Sequence, residues 1–493
     1  MTIGRVSVHP RDVATVLALY CASTLLYALL GVEFDATTLT QAIQFIDTKL
    51  LAEQMLESIW YYHANPPLLN TLVGIAGKLF GSHKIAFLSV CFHIFGLLTI
   101  LTVYALTLKL STSRAAAAAA SGLLAFNPDF VLYQNWLMYT FPAVTLLTLS
   151  AYALHRYVET RATRWCFTFF ALLAALLLTR SLFHLSWLVL IVALLVFVLR
   201  TNERQIVLAA ALPVLLVAFW YGKNLYYFGS FSSSTWMGLG LTNITTLMVP
   251  RPELTQLVER GDVSPLALVS RYEQEPLLFP PLQEPTGIPV LDEMKTSAGL
   301  FNYNYRPLID ISRAYTGDAL RVIHLRPRDY MAGVSLANQL FFSPSNVNIY
   351  FSARNKAAVQ GMQRVLVPLL YGVDAAPEVI EDPHFGFTGK YGLEVDTSPS
   401  LIAMWLIGLT YAGVQAGRGL RASNRATQAR AIVLGFIVVT ALYVYTVSTT
   451  LEMAQNYRYR FLTEPLIFVL TATAATALLE TCLALRADRR IPA

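Results

Sequence analysis

The sequence predicts an all-α membrane protein that crosses the bilayer many times. Of its 493 residues, 55% are hydrophobic and only 13% are charged, whereas a soluble domain carries roughly 25% charged residues. Runs of roughly 17 to 25 nearly uncharged residues recur along the chain, and each is long enough to cross the hydrocarbon layer as a helix. The sequence therefore predicts a polytopic helical bundle.

About ten transmembrane spans can be placed from these runs. They lie at residues 13–31, 84–108, 113–131, 139–157, 165–181, 183–200, 206–222, 399–416, 430–448 and 465–485. Arginine and lysine cluster in alternate connections and at the C-terminal tail. Because such clusters favour the cytoplasmic side, both termini are predicted to be cytoplasmic and the 223–398 segment to be exported.

Three blocks follow from this topology. Residues 1–222 form a transmembrane catalytic bundle that includes a first outer loop at 32–83, residues 223–398 form the exported region, and residues 399–493 form three further transmembrane helices. Apolar residues at helical spacing predict a mainly helical exported region, with a flexible segment at 273–291. The net charge of +6 comes mainly from the cytoplasmic clusters, so it indicates contact with the lipid bilayer and no nucleic acid.

The first outer loop carries an isolated carboxylate between amphipathic segments. Residues 48–58 and 68–80 are predicted to lie in the membrane interface as helices, with the second starting after Pro66 and Pro67. Asp47 precedes the first of these helices. It is either a capping residue or a general base that faces a cavity, and Asp35 and Glu33 are rivals for the second role.

Three arginines stand where the bundle should be apolar. Arg180 ends the fifth span, and Arg458 and Arg460 precede the last one on the outer side. Such arginines can snorkel to the membrane surface or pair with Glu452 or Glu464. They can also bind a phosphate, because the planar guanidinium makes bidentate contacts.

A third group of residues suits a sugar. The short outer loop supplies Tyr133, Asn135, Trp136 and Tyr139, which could stack on a sugar ring and hydrogen-bond to it, or could form an aromatic belt at the membrane surface. His63 and Asn65, in the first outer loop, are assigned to the same predicted substrate-binding set.

This arrangement resembles the C-type integral-membrane glycosyltransferases, the superfamily of the protein O-mannosyltransferases and the bacterial aminoarabinose transferase. In that superfamily an acidic residue of the first outer loop is followed by juxtamembrane helices and a Pro-Pro or Lys-Pro motif. Asp47 and the sequence HANPPLLNTLVGIAGKLFG correspond to these features, and NYRYRFLTEPL resembles the start of a late span. The resemblance covers residues 1–200 and, more weakly, residues 450–480.

The resemblance implies an enzyme of the bacterial inner membrane that moves a sugar from a polyprenyl-phosphate donor to a hydroxyl group of a glycan, lipid or protein acceptor. It implies direct displacement with inversion, with Asp47 as general base and with Arg180, Arg458 or Arg460 on the leaving phosphate. Relatives carry a second acidic residue in the next outer loop, where this chain has Met138 to Pro142 without an acid. That departure puts a metal-dependent or a two-carboxylate version in doubt, so no cofactor is predicted, and a divalent metal stays an alternative that the sequence does not indicate.

Two other classes remain open. A transporter or flippase of polyprenyl-linked sugars or other lipids would share the bundle and the arginines, although repeated halves and broken mid-membrane helices, which are typical of transporters, are not evident. A ligase- or polymerase-like enzyme would place its chemistry in a late outer loop. The sequence contains no Walker A, HExxH or GxSxG motif, which disfavours ATP-driven transport and hydrolysis.

Overall fold

Every regular element in the described part of the chain is a helix. The computed structural model describes residues 8–269, 284–345, 348, 350–373 and 397–488, and the predicted all-α class is confirmed there. Within these ranges the extended chain forms two isolated bridges, Asp35 with Trp136 and Lys295 with Phe301. Most of the segment predicted to be flexible, 273–291, lies outside the described residues.

From residue 8 onward, the N-terminal block contains twelve α-helices, two of them joined by a 3-10 turn at Gly81–His83. They are α1 (Pro10–Leu29), α2 (Thr38–Gln41), α3 (Thr48–Glu53), α4 (Met55–Trp60), α5 (Leu68–Phe80), α6 (Lys84–Ser111), α7 (Arg114–Phe126), α8 (Pro128–Gln134), α9 (Thr140–Thr160), α10 (Thr163–Leu177), α11 (Leu185–Val198) and α12 (Glu203–Phe228). A further 3-10 turn, Arg200–Asn202, precedes α12.

The rest of the chain contributes ten more α-helices within the described ranges. In the 223–398 region these are α13 (Met237–Ile244), α14 (Arg251–Glu259), α15 (Pro289–Asp292), α16 (Leu308–Leu325), α17 (Pro327–Phe341) and α18 (Ala353–Tyr371), with 3-10 turns at Thr246–Met248 and Pro265–Leu268. The C-terminal helices are α19 (Pro399–Gly419), α20 (Arg425–Leu451), α21 (Asn456–Phe461) and α22 (Glu464–Asp488). The described part of the 223–398 region is therefore mainly helical, as predicted.

Six helical stretches in the described part of the chain are long and apolar enough to cross a membrane. They are α1, the continuous stretch Leu68–Ser111, α12, α19, α20 and α22. The pair α7 and α8 would make a seventh span, bent by 61°, because Pro128 starts a new helix that the Asn127 side chain caps. The chain is a multi-pass membrane protein, but the predicted count of ten spans is not confirmed.

The difference between the predicted and the observed number of spans arises from α9, α10 and α11. Each coincides with a predicted span, but α10 and α11 are short apolar helices, and α9 is not among the six. Helix α9 packs against α6, α10 and α20, and it buries residues such as Thr145, Ser150 and His155. A helix that is surrounded by other helices can carry polar residues that a lipid-facing span would exclude.

The first outer loop folds as a set of short helices beside the bundle. Asp47 caps α3, because its Oδ1 accepts a hydrogen bond from the backbone N–H of Lys49 at 2.9 Å, so the predicted capping contact is present. Helix α4 leaves Leu56 78% exposed, as expected for an interfacial helix. The loop is joined to the 223–398 region by Asn304, whose Oδ1 accepts from the backbone N–H groups of His63 and Ala64.

Candidate functional site

A cavity of about 800 Å³ lies between the bundle and the 223–398 region. Its walls come from the segment after α10, the segment between α12 and α13, helix α16, and the chain from the end of α20 into α21. Arg180, Arg458, Tyr139 and Asn65 line it. Four of the predicted site residues, which are far apart in the sequence, therefore meet here. We refer to it as the arginine cavity.

Arg180 is buried between two aromatic rings. Its guanidinium carbon lies 4.2 Å from the ring centre of Tyr139 and 4.7 Å from that of Tyr459. The side chain is only 6% exposed, and its Nε is a buried donor without a hydrogen-bond partner in the described structure. Such contacts fix the plane of the guanidinium and leave hydrogen-bonding capacity unused.

Arg458 also contacts Tyr139, whose ring centre is 4.7 Å from its guanidinium carbon. Its Nε donates to Thr140 Oγ1 and its Nη1 donates to Gln455 Oε1, both at 2.7 Å. Its Nη2 is a buried donor to which the described residues supply no acceptor. Two neutral acceptors therefore orient the guanidinium, and no carboxylate of the described residues forms an ion pair with it.

Charge balance separates these two arginines from ordinary buried ion pairs. Among the described residues, no carboxylate oxygen lies within 4.0 Å of either guanidinium. The one carboxylate among the described residues that line the cavity is Glu452, which accepts from Asn243 Nδ2 at 2.6 Å and acts on Arg180 only beyond ion-pair distance. Two buried cations around one aromatic ring favour an anionic ligand, and a phosphate matches guanidinium geometry.

Arg460, which was predicted to share this role, lies elsewhere. It is completely buried, and its Nη1 donates to Glu464 Oε2 at 2.6 Å. Glu464 Oε1 accepts from the Tyr371 hydroxyl at 2.8 Å, and Arg460 Nη2 reaches Ser345 Oγ at 3.2 Å. Arg460 therefore takes part in an internal ion pair, the structural alternative that the sequence left open, and does not line the arginine cavity.

Asp47 lines a second, smaller cavity of about 260 Å³ between the first outer loop and residues 296–303. Besides capping α3, its carboxylate accepts from Ser297 Oγ at 2.6 Å and from the Ser297 backbone N–H at 2.5 Å. Ile43 and Tyr303 line both this cavity and the arginine cavity. The predicted base and the predicted phosphate ligands therefore belong to neighbouring cavities with a common wall.

Asp35 occupies a tight turn. Its Oδ1 accepts from the backbone N–H of Thr37 at 2.9 Å and from Thr37 Oγ1 at 2.6 Å. Its backbone pairs with the chain around Trp136: its N–H donates to Asn135 O at 2.7 Å, and its carbonyl oxygen accepts from Leu137 N at 2.9 Å. This pairing holds the first outer loop beside Trp136.

His63 is buried and has a structural role. Its Nε2 lies 2.9 Å from the carbonyl oxygen of Asn304, which can only accept, so Nε2 carries the proton and Nδ1 accepts from Thr235 Oγ1 at 2.8 Å. Burial lowers the pKa of His63 to about 3, so the ring is neutral. Asn65, two residues on, reaches the arginine cavity with its Nδ2 buried and without a partner in the described structure.

Only part of the predicted sugar-binding aromatic set reaches the arginine cavity. Tyr133 is buried with its ring stacked on Phe461, 3.9 Å between centres, and Asn135 Nδ2 donates to Val131 O at 2.9 Å. Trp136 lies beneath Arg458, 5.1 Å from its guanidinium carbon. Of the four residues, Tyr139 is the one that lines this cavity.

Sequence reasoning missed the wall formed by residues 229–237, which contains four consecutive hydroxyl-bearing residues, Ser232 to Thr235. A signal was present, because a Gly-Ser-rich stretch directly after a span predicts a turn at the membrane surface. Gly229 ends α12 with φ +65°, a left-handed value that suits glycine. Tyr459, the second ring on Arg180, was also missed.

Metal ligands are not grouped in the part of the chain that the structure describes. No set of three or more His, Cys, Asp or Glu side chains is close enough there to hold a metal ion. Cys21, Cys91, Cys166 and Cys482 are free thiols.

Comparison with known proteins gives one sequence match and several distant structural similarities. Residues 64–221 match the family described as dolichyl-phosphate-mannose-protein mannosyltransferase. No curated protein sequence matches the chain. The crystal structure of the Archaeoglobus fulgidus oligosaccharyltransferase, tethered with an acceptor peptide, is 12% identical with a TM-score of 0.37; the similarity covers 96% of this chain and 50% of that one. The chain therefore spans about half the length of that enzyme.

A second similarity is to the crystal structure of ArnT from Cupriavidus metallidurans bound to undecaprenyl phosphate. It is 14% identical, covers 88% of this chain and 78% of ArnT, and has a TM-score of 0.31. Similarities this distant do not transfer a function to the chain. The family match confirms the predicted resemblance to the C-type glycosyltransferases over residues 64–221, which are less than half of this multi-pass membrane protein.

Proposed function

We propose that the protein transfers a sugar from a polyprenyl-phosphate donor to a hydroxyl group of an acceptor. The observation that supports this most directly is the pair Arg180 and Arg458: two buried guanidiniums share one aromatic ring, and each has a buried donor nitrogen without a partner in the described structure. Removing such charges from water is costly unless a counter-charge is supplied. A phosphate of the donor would supply it.

In the proposed reaction, the donor phosphate lies between Arg180 and Arg458, with the sugar in the arginine cavity. The acceptor oxygen forms a bond to the anomeric carbon while the bond from that carbon to the phosphate oxygen breaks, which inverts the configuration. Asp47 takes the proton of the acceptor hydroxyl, as a general base. The arginines stabilise the negative charge that develops on the leaving polyprenyl phosphate.

The proposal assigns Asp35 as the alternative base and leaves Arg460 out of the donor site, because Glu464 already neutralises it. It places the protein in the bacterial inner membrane with both termini in the cytoplasm. The arginine cavity and the 223–398 region then lie on the exported side.

The first test is binding of undecaprenyl phosphate to the full-length protein in nanodiscs. Arg180→Gln and Arg458→Gln should each weaken binding at least tenfold, because each removes a charge-assisted contact worth about 1.5–3 kcal/mol. Arg321→Gln is the control, since Arg321 is an exposed arginine that donates to the Asp262 carbonyl oxygen. Equal binding by all four proteins would contradict the proposed donor site.

The second test is sugar transfer from radiolabelled polyprenyl-phosphate sugars. Asp47→Asn should bind donor but transfer no sugar, whereas Asp35→Asn should retain transfer. Activity of Asp47→Asn with loss in Asp35→Asn would move the base to Asp35. Lipid movement across the bilayer without transfer by any protein would instead favour the flippase.

A further inference from the structure

The Asp47 carboxylate is covered by a short turn from the 223–398 region. Lys295 and Phe301 form an isolated antiparallel bridge, and residues 295–301, which we call the hairpin, turn back on themselves through a hydrogen bond from Thr296 N to Leu300 O at 2.8 Å. Ser297, near the tip, directs both its hydroxyl and its backbone N–H at Asp47. The hairpin therefore ends on the carboxylate that the proposed reaction uses.

Ser297 takes the position that a substrate hydroxyl would need. A general base must lie about 2.6–3.2 Å from the oxygen whose proton it removes. Ser297 Oγ lies 2.6 Å from Asp47 Oδ1, and its backbone N–H engages Oδ2. Together with the α3 cap on Oδ1, these contacts use three of the roughly four lone-pair directions of the carboxylate, so an acceptor hydroxyl cannot take the position of Ser297 Oγ on Oδ1 while Ser297 is present.

The space beside this contact is already formed. The Asp47 cavity is lined by Thr40 and Ile43 of the first outer loop and by Thr296 and Ala298 of the hairpin. Thr296 Oγ1 is buried without a hydrogen-bond partner in the described structure. A polar cavity next to a carboxylate suits a hydroxyl-bearing molecule. This cavity also shares a wall with the arginine cavity.

We propose that the Asp47 cavity is the acceptor site, that it receives an alcohol at Asp47, and that Ser297 holds the place of the acceptor hydroxyl until the hairpin tip is displaced. The inference rests on the proposed function, because it takes Asp47 as the base. It adds the location of the acceptor and a reason why the donor is protected from water when no acceptor is present.

The tip of the hairpin is exposed, whereas its base is held by packing and hydrogen bonds. Ser297 and Gly299 are exposed, and Gly299 has φ +80°, a conformation that glycine adopts without strain. In contrast, Phe301 is buried in an apolar cluster of the 223–398 region. Asn302, directly after the hairpin, holds its two ends in place: Asn302 Nδ2 donates to the carbonyl oxygens of Val290 and Glu293, at 3.0 and 2.7 Å.

The experiment uses water as the smallest hydroxyl acceptor, so the natural acceptor need not be known. Full-length protein in nanodiscs is given undecaprenyl-phosphate-mannose as the probe donor, and release of free mannose is followed. Ser297→Ala should release mannose about tenfold faster than wild type, because one charge-assisted hydrogen bond no longer covers Asp47. Adding Asp47→Asn to this variant should remove the gain.

Thr255→Val is the matched control, because it removes a hydroxyl that donates to the Arg251 carbonyl within α14; its rate should equal that of wild type. Mannose release by Ser297→Ala at the wild-type rate or below it would overturn the inference, since Ser297 would then support Asp47 and not block it.

A second measurement needs no donor turnover. Carbodiimide-driven coupling of glycinamide to Asp47, mapped by mass spectrometry, should be about tenfold faster in Ser297→Ala than in wild type. Equal coupling rates overturn the inference even if no variant cleaves the probe donor. Failure of the proposed function is recognised separately, by a wild-type protein that does not bind undecaprenyl phosphate.

Discussion

Arg458 and Arg460 stand two residues apart on α21 and occupy opposite chemical environments. Both are almost fully buried, at 3% and 0% exposure. Arg460 has a carboxylate at 2.6 Å, whereas Arg458 is held by a threonine, a glutamine and aromatic rings beside a large cavity. Burial of a charge does not by itself mark a binding site; the informative difference is whether the protein supplies the counter-charge.

The two environments also differ in what they do for stability. A buried ion pair is satisfied in the folded protein, and removing one partner leaves the other charge buried and uncompensated. A buried arginine without a carboxylate costs stability until a ligand arrives. The comparison therefore predicts opposite responses to the same substitution at the two positions.

The largest expected effect is on the free energy of unfolding, when Arg460 is replaced. Arg460→Met should destabilise the protein by roughly 3–5 kcal/mol, because it leaves Glu464 charged and buried. The double variant Arg460→Met, Glu464→Gln should recover most of this loss. Thermal unfolding of the purified proteins measures both, and an Arg460→Met protein as stable as wild type would contradict the assignment of a structural ion pair.

The next effect is on ligand binding at the Arg458 environment. Arg458→Met should leave the unfolding temperature unchanged or raise it, because a buried uncompensated charge is removed, while undecaprenyl phosphate binds roughly 10- to 100-fold more weakly. Titration of the lipid into nanodisc-bound protein measures the affinity. If Arg458→Met unfolds as readily as Arg460→Met, the distinction between the two arginines fails.

His63 extends the comparison to a buried group that stays neutral. Its folded pKa of about 3 lies below the unfolded value of about 6.5, so the unfolded state binds the extra proton first and stability falls as pH drops from about 6.5 toward 3. Between pH 6.5 and 5.0 the loss should be about 1.6 kcal/mol. The pH dependence of unfolding should be flatter in His63→Gln; an identical slope would show that His63 is not the group responsible.

The smallest effect concerns the orientation of Arg458. Thr140→Val removes the hydroxyl that accepts from Arg458 Nε but keeps the charge. We expect undecaprenyl phosphate to bind roughly 2- to 10-fold more weakly, as for the loss of one hydrogen bond. Thr148→Val serves as the control, because that hydroxyl donates to Val144 O within the same helix. A loss as large as that of Arg458→Met would mean that Thr140 itself contacts the lipid.

Local features of the fold could be predicted from the sequence, and features that depend on distant contacts could not. The α3 cap at Asp47 is set by neighbouring residues, and so is the break between α7 and α8 at Asn127 and Pro128. The number of spans was harder to predict from the sequence, because the polar residues of α9 are tolerated only where other helices surround them.

The candidate site shows the same division. Arg180 and Arg458 stood out in the sequence as unusual polar residues, but nothing local showed that both would contact Tyr139. Arg460 was grouped with Arg458 although Glu464 lies four residues further on, a spacing that places both side chains on one helix face. The contact of Ser297 with Asp47 joins residues that are 250 positions apart, and no sequence pattern predicts it.

Asn304 carries a consequence for how the protein is made. Its side-chain oxygen accepts hydrogen bonds from the backbone N–H groups of His63 and Ala64, which lie 241 and 240 positions earlier in the sequence. At a synthesis rate of about 5–20 residues per second, the ribosome reaches Asn304 roughly 10–50 s after His63. During that interval the first outer loop has been synthesised without this contact, so its final conformation depends on a segment made much later.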